Sequence, residues 1–129
     1  MLTRDQYYAT TVYAQVESVA GASDAFRKKY GGLAHKLPVL IRTAGLAQAL
    51  AFVNARGEDA GKRLLQHLAE ALDLANQDTL LKRAREDDLN KYIYLTQQAL
   101  AALLWYKRFA QSVLDVDAAT QDGDNQAKE

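Results

Sequence analysis

The sequence predicts an all-α protein, a single compact bundle of about five to six helices, on two observations. Ala and Leu supply 42 of the 129 residues whereas Val and Ile supply 9, a ratio that favours helix over strand. Along most of the chain, apolar residues recur three and four positions apart, the spacing of a helix face. A chain of 129 residues has the size of one domain, and 49% hydrophobic with 25% charged residues is enough to bury a core.

Thr3, with Gln6 three residues on, fits a capping box. Tyr7, Tyr8, Val12, Ala14, Val16 and Val19 then follow at helical spacing until Gly21, giving a first helix near 4–20. Ser23 and Asp24 open a second, in which Phe26, Tyr30, Leu33, Leu37, Leu40 and Ile41 form one face. Pro38 lacks an amide donor and crowds the preceding turn, which predicts a kink or a helix restart near residue 37. After a break at Thr43 to Gly45, Leu46, Ala49, Leu50 and Val53 mark a short third helix ended by Gly57, where left-handed backbone is favoured.

Glu58 and Asp59 complement the amide dipoles of a fourth helix, whose apolar stripe is Leu64, Leu65, Leu68, Ala69 and Leu72. Asn76 to Asp78 breaks it. Asp78 can cap a short fifth helix through Glu86, and Asp87 or Asp88 a long last helix to about Leu114. That last helix is apolar on most sides, which places it at the centre of the bundle, mostly buried. Residues 1–114 are thus the helical domain, and 115–129 are a polar, acidic, aperiodic tail expected to be disordered or frayed.

Much chemistry is excluded. Without Cys there is no disulfide scaffold, zinc finger, iron–sulfur site or thiol nucleophile, and an intracellular, cytoplasmic home is favoured. Asp5, Thr10 and Thr11 argue against a secretory signal, and no run approaches the roughly 20 apolar residues of a membrane span. His35 and His67 lack the Glu or Asp three residues earlier that di-metal helical bundles use, and both read as surface residues. No Ser sits in a Gly-x-Ser-x-Gly elbow and no Gly-rich phosphate loop is present, so the chain reads as no enzyme, with no metal or cofactor.

The formal net charge of zero is a sum of unlike parts. Residues 115–129 carry five acidic side chains and one Lys, so the body to residue 114 is at +4. Within it, residues 27–63 hold eight Lys and Arg against Glu58 and Asp59. On a helical wheel, Lys28, His35, Lys36 and Arg42 cluster opposite the Phe26–Leu37–Ile41 stripe. A basic face almost free of acids suits a phosphate backbone, and the same face also serves simply as the solvated side of an amphipathic helix. Lys107 lies among Leu100, Leu103 and Leu114, where a long cation can also snorkel over apolar neighbours.

Two stretches carry a family resemblance. Leu37-Pro38-Val39-Leu40-Ile41, followed by Gly45-Leu46 and Ala51-Phe52, and Leu104-Trp105-Tyr106-Lys107-Arg108-Phe109-Ala110 together resemble the small helical subunit of the type III-B CRISPR effector, the fifth protein of the Cmr (RAMP-module) set. The resemblance spans about residues 4–114, with no motif in 57–88. It implies a non-catalytic, all-helical subunit, stacked with copies of itself along a ribonucleoprotein filament for antiviral defence. Its implied partners are other Cmr subunits and the duplex of CRISPR RNA with target RNA. By position, Pro38, Gly45, Leu46, Trp105 and Phe109 become fold residues and Lys107 and Arg108 candidate RNA contacts; Lys28, Lys36 and Arg42 join them on charge alone. The alternatives are the small subunit of the type III-A (Csm) complex, from which the Trp-x-Lys-Arg motif separates it, and a helical adaptor that meets only proteins.

Overall fold

The computed structural model describes residues 1–118. Its helices are α1 (Arg4–Val19), α2 (Asp24–Ala44), α3 (Leu46–Arg56), α4 (Glu58–Ala71), α5 (Gln77–Glu86) and α6 (Leu89–Ser112), and the described residues contain no strand. α1 opens on the capping box: Gln6 N donates to Thr3 Oγ1 (3.0 Å) and Thr3 N to Gln6 Oε1 (2.9 Å), which satisfies two otherwise orphaned amides. Ser23 and Asp88 cap α2 and α6 as their sequence positions suggest. α5 is capped by Asn76, which accepts from Thr79 N (2.9 Å), two residues ahead of the expected Asp78.

Several expectations are corrected. α2 runs unbroken through Pro38, because Leu33, Leu37 and Ile41 on the same helix are buried and α2 is held by α6, α3 and α4. A helix-interior Pro costs about 3 kcal/mol, and each fully buried aliphatic side chain contributes about 1.5–3 kcal/mol. Gly57 is right-handed (φ −78°), and Glu58 takes the positive φ of 56° instead. Glycine is needed at 57 for proximity: a Cβ there would lie 2.5 Å from Val53 O and 2.6 Å from Gly61 Cα. Gly45 is the residue whose backbone (φ 91°) demands glycine, at the turn from α2 to α3.

The last helix is not the centre. α6 packs between α1 and α2, and Leu89, Ile93, Tyr94 and Leu104 on its outer side stay exposed. α4 touches each of the other five helices and buries Leu64, Leu65 and Leu68 completely. Its presumed polar side is covered too: α5 lies over it, with Gln77 N donating to Gln66 Oε1 (3.0 Å). His67, expected at the surface, is buried with its ring against Tyr30 of α2, and His35 is buried too.

The buried imidazole of His67 belongs to a polar chain through the core. The Tyr106 hydroxyl of α6 donates to Gln15 Oε1 of α1, Gln15 Nε2 donates to the His67 carbonyl of α4 (2.9 Å), and the Tyr30 hydroxyl of α2 meets His67 Nδ1 (2.7 Å). Burial raises both tyrosines far above the usual phenol range, so each keeps its proton to donate.

The chain also stays packed beyond Leu114, past the boundary read from sequence. Leu114 and Val116 are buried, Val116 N donates to Ala110 O (3.0 Å), and Val116 O accepts from His35 Nε2 (2.8 Å). Val116, one short apolar residue in a polar stretch, carries no periodicity, which is why the sequence does not reveal its packing. The rest of the acidic segment, residues 119–129, lies outside the described residues.

This packing makes stability depend on pH. Burial holds His67 down at about 4 from an ordinary 6.5. Below pH 6.5 the unfolded chain therefore binds a proton that the folded chain refuses, so stability is full above that pH and falls as pH drops towards about 4, by at most about 3 kcal/mol. Urea denaturation across this range checks it, and His67→Gln should flatten that part of the profile. Gly31→Ala should cost about 1–3 kcal/mol by overpacking, since its Cβ would lie 2.7 Å from Val116 Cβ, and a Val116→Gly background should relieve the loss.

Candidate nucleic-acid interface

The geometry of the basic residues is set by how α2 meets α6. Ala47 N, just past α2, donates to Tyr92 Oη (3.1 Å) near the start of α6, while His35 meets Val116 beyond the end of α6. The two helices therefore run antiparallel. α1 runs alongside α6 in the same sense, since Arg4 meets Tyr94 and Tyr13 meets Phe109.

This arrangement lays α6 along the face of α2 that the helical wheel marks as basic. A small cavity of about 60 Å³ between them is walled by His35, Pro38, Val39 and Arg42 from α2 and by Leu100, Leu104 and Lys107 from α6. A larger, mainly apolar one of about 410 Å³ beside it is lined by Gly32, His35, Lys36, Val39, Leu40, Phe52 and Ala118. Because His35 and Val39 line both, Lys36, Arg42 and Lys107 rim one groove. Among the described residues no carboxylate lines either cavity, and the ion pairs Arg27–Asp24, Arg83–Asp87 and Arg85–Glu86 use none of these three cations. Convergent positive charge over an apolar floor raises the local potential for an anion.

Lys28 is exposed and on the same line of α2, seven residues before His35. Arg108 is elsewhere. One residue is 100° on a helix, and that step carries it to the α1 side of α6, where its guanidinium lies 5.3 Å from the Trp105 ring centre. Trp105 is half-buried; its Nε1 donates to Asp5 Oδ1 (2.9 Å) and its ring stacks on Phe109 at 5.7 Å. The structure thus unites Lys107 with Arg42 and separates it from its sequence neighbour. Pro38 and Leu46 are buried, and Gly45 turns the chain where a Cβ would come 3.3 Å from Tyr92 Oη.

Sequence reasoning missed the apolar part of the groove. Val39 is 57% exposed and Phe52 and Leu104 are each 44% exposed, so this surface is not a plain solvated face. A signal existed: on the wheel Val39 falls in line with Lys28, His35 and Arg42, an apolar residue among basic ones. Among the described residues no group of three or more His, Asp and Glu is placed to hold a metal ion, and no helix is long and apolar enough to cross a membrane.

By class, then, this is a small all-helical protein whose distinctive surface is a basic groove with an apolar floor. Residues 4–113 match the family model described as CRISPR-associated protein (Cas_Cmr5). The chain is 44% identical over 115 residues to the CRISPR system Cmr subunit Cmr5 of Thermus thermophilus, covering 89% of this chain and 99% of that one. It is also similar to the crystal structure of a CRISPR-associated Cmr5 family protein from the same organism, with a TM-score of 0.82 and 45% identity over 88% of this chain and 98% of that one. The chain belongs to the Cmr5 family of CRISPR-associated proteins.

Trp105→Ala should lower stability by about 2–3 kcal/mol, less than the loss of a fully buried indole, because the side chain keeps some exposure to solvent. Urea denaturation measures this. The same variant should leave the groove intact, since Trp105 lines neither of its cavities.

Proposed function

We propose that this protein is the non-catalytic small subunit of a Cmr (type III-B) CRISPR effector ribonucleoprotein, and that it contacts the guide–target RNA through the α2–α6 groove. The observation that carries the RNA contact is the meeting of Arg42 and Lys107, from helices far apart in sequence, with Lys36 beside them. The name of the Thermus relative, a Cmr subunit, supports the complex and its other subunits as partners. Copies of the chain stack along the RNA in antiviral defence in the cytoplasm. Chain chemistry supports a role without catalysis: Cys is absent and both imidazoles are engaged in hydrogen bonds.

Cations of this kind hold a phosphate backbone and read no sequence. Lys28 extends the groove by about 12 Å of helix rise beyond Lys36. Arg108, resting on Trp105, makes a separate contact on the other flank of α6. RNA binding by the free protein should be weak, indifferent to sequence and steeply salt-dependent, because each neutralised phosphate releases counterions. Stacking multiplies such contacts along one RNA.

Reconstituted complexes test this by target-RNA capture across a salt series. Arg42→Ala with Lys107→Ala should weaken capture and lower the log–log salt slope by about 0.7–0.9 for each phosphate no longer neutralised, with subunit incorporation unchanged. Lys36→Ala should act in the same direction, and Arg108→Ala independently of both. If the double variant captures RNA as the parent does at every salt concentration, the groove meets protein instead, and the adaptor reading replaces this one.

A further inference from the structure

A polar cavity of about 360 Å³ lies where the start of α1, the end of α4 and the middle of α6 meet, and Arg4, Tyr7, Tyr8, Leu72, Asp73 and Gln98 are in its wall. Its volume is within the range of about 300–1,000 Å³ that small-molecule sites occupy. Gln98 and Lys107 point about 180° apart on α6, so this cavity and the groove are on opposite sides of that helix.

Asp73 is a residue that its own helix does not favour. It ends α4 in the turn that glycine usually makes: φ is 60°, its N donates to Glu70 O (3.0 Å) and Leu74 N donates to Ala69 O (2.8 Å). A carboxylate there adds negative charge to the negative end of the helix dipole, and α4 has no basic residue in its last turn. The side chain is nevertheless held from α1, where Tyr7 Oη donates to Asp73 Oδ1 (2.8 Å), and that bond raises the Tyr7 phenol above its usual range so that it keeps its proton. Arg4 also lines the cavity. Its guanidinium donates to the Tyr94 hydroxyl (2.8 Å), and none of the ion pairs among the described residues uses it. The Tyr8 hydroxyl senses both charges: burial raises it most, Arg4 and a hydrogen bond with Gln98 lower it, and Asp73 raises it. The rings of Tyr7 and Tyr8, 6.2 Å apart and tilted by 53°, complete an aromatic wall in which Tyr7 is 37% exposed.

A fixed carboxylate and a guanidinium fork in one aromatic cavity select a planar ligand with a donor edge and an acceptor edge. Among the nucleobases guanine alone has both, N1–H and N2–H₂ on one side and O6 and N7 on another. Adenine and cytosine place an acceptor beside the amine, and uracil has one N–H between two carbonyls. We propose that this cavity binds a guanine base, with Asp73 accepting from N1–H and N2–H₂, Arg4 donating to O6 and N7, and the base lying against Tyr7. The site is independent of the RNA reading of the groove, and either a free nucleotide or RNA can supply the base.

Isothermal titration calorimetry of the full chain with guanosine, inosine and adenosine monophosphates tests this. The guanine nucleotide should bind about five- to a hundredfold tighter than the adenine one, the discrimination that one good two-bond base contact gives, with inosine, which lacks the N2 amine, in between. Asp73→Asn and Asp73→Gly both suit a positive φ and should keep the fold, which circular dichroism checks, yet each should abolish the preference for guanine. Arg42→Ala with Lys107→Ala should keep that preference, which separates recognition of the base from phosphate binding in the groove. In this groove variant, a tetranucleotide with one guanine among uridines, compared with tetrauridylate, shows whether RNA supplies the base as well as a free nucleotide. Guanine binding no tighter than adenine, or a preference that both Asp73 variants retain, would overturn the proposal and leave the RNA reading standing. Binding of N-acetylarginine amide in place of the guanine nucleotide would overturn it in favour of a cationic side chain of a protein partner at Asp73.

Discussion

The buried chain from Tyr106 through Gln15 and His67 to Tyr30 governs how the helices are arranged. It ties α6, α1, α4 and α2 at one level of the core, and each link is directional, unlike the Leu and Ala packing around it. Ala–Leu surfaces slide and rotate at small cost, because many registers bury similar area. A buried amide or hydroxyl left without its partner costs about 1–3 kcal/mol, so only one rotation of each helix satisfies all four residues. The neutral imidazole is part of the same requirement, since a charge at His67 would be buried.

The groove is a consequence of that rotation. Once α2 directs Tyr30 at His67, its His35–Arg42 side faces α6, and antiparallel packing brings Lys107 level with Arg42. The segment beyond α6 completes the wall: Val116 covers Gly31 and its carbonyl accepts a hydrogen bond from His35 Nε2, so an imidazole among cations becomes a structural donor. Gathering Lys36, Arg42 and Lys107 with no lining carboxylate among the described residues works against stability through mutual repulsion. A surface that keeps such a cost is suited to a polyanion, and the apolar Val39, Leu104 and Phe52 within it distinguish it from an ordinary solvated face.

Membership of the Cmr5 family agrees with the motifs that carried the resemblance, and the structure shows how those motifs work. Pro38 and Leu46 lie in the core and Gly45 makes the turn, whereas the Trp105–Phe109 stretch is divided between neighbours: Trp105 and Phe109 serve the α1 side and Lys107 the groove. A contiguous motif on a helix necessarily points in several directions, so its residues share a position in the chain without sharing a role.

The features legible in the sequence are local ones. Helix identity followed from the Ala–Leu excess and the three- and four-residue spacing, and the starts at Thr3, Ser23 and Asp88 followed from capping chemistry that acts over three residues. The cations of α2 were legible for the same reason, as they share one helix. Folding in three dimensions settled which helix became the hub, that α2 survives Pro38, that both histidines are buried, and that Val116 packs on Gly31. It also placed Lys107 beside Arg42 and turned Arg108 away. These outcomes depend on contacts between residues many positions apart, whose partners no periodicity encodes, and on directional hydrogen bonds that select one packing among many of nearly equal hydrophobic burial.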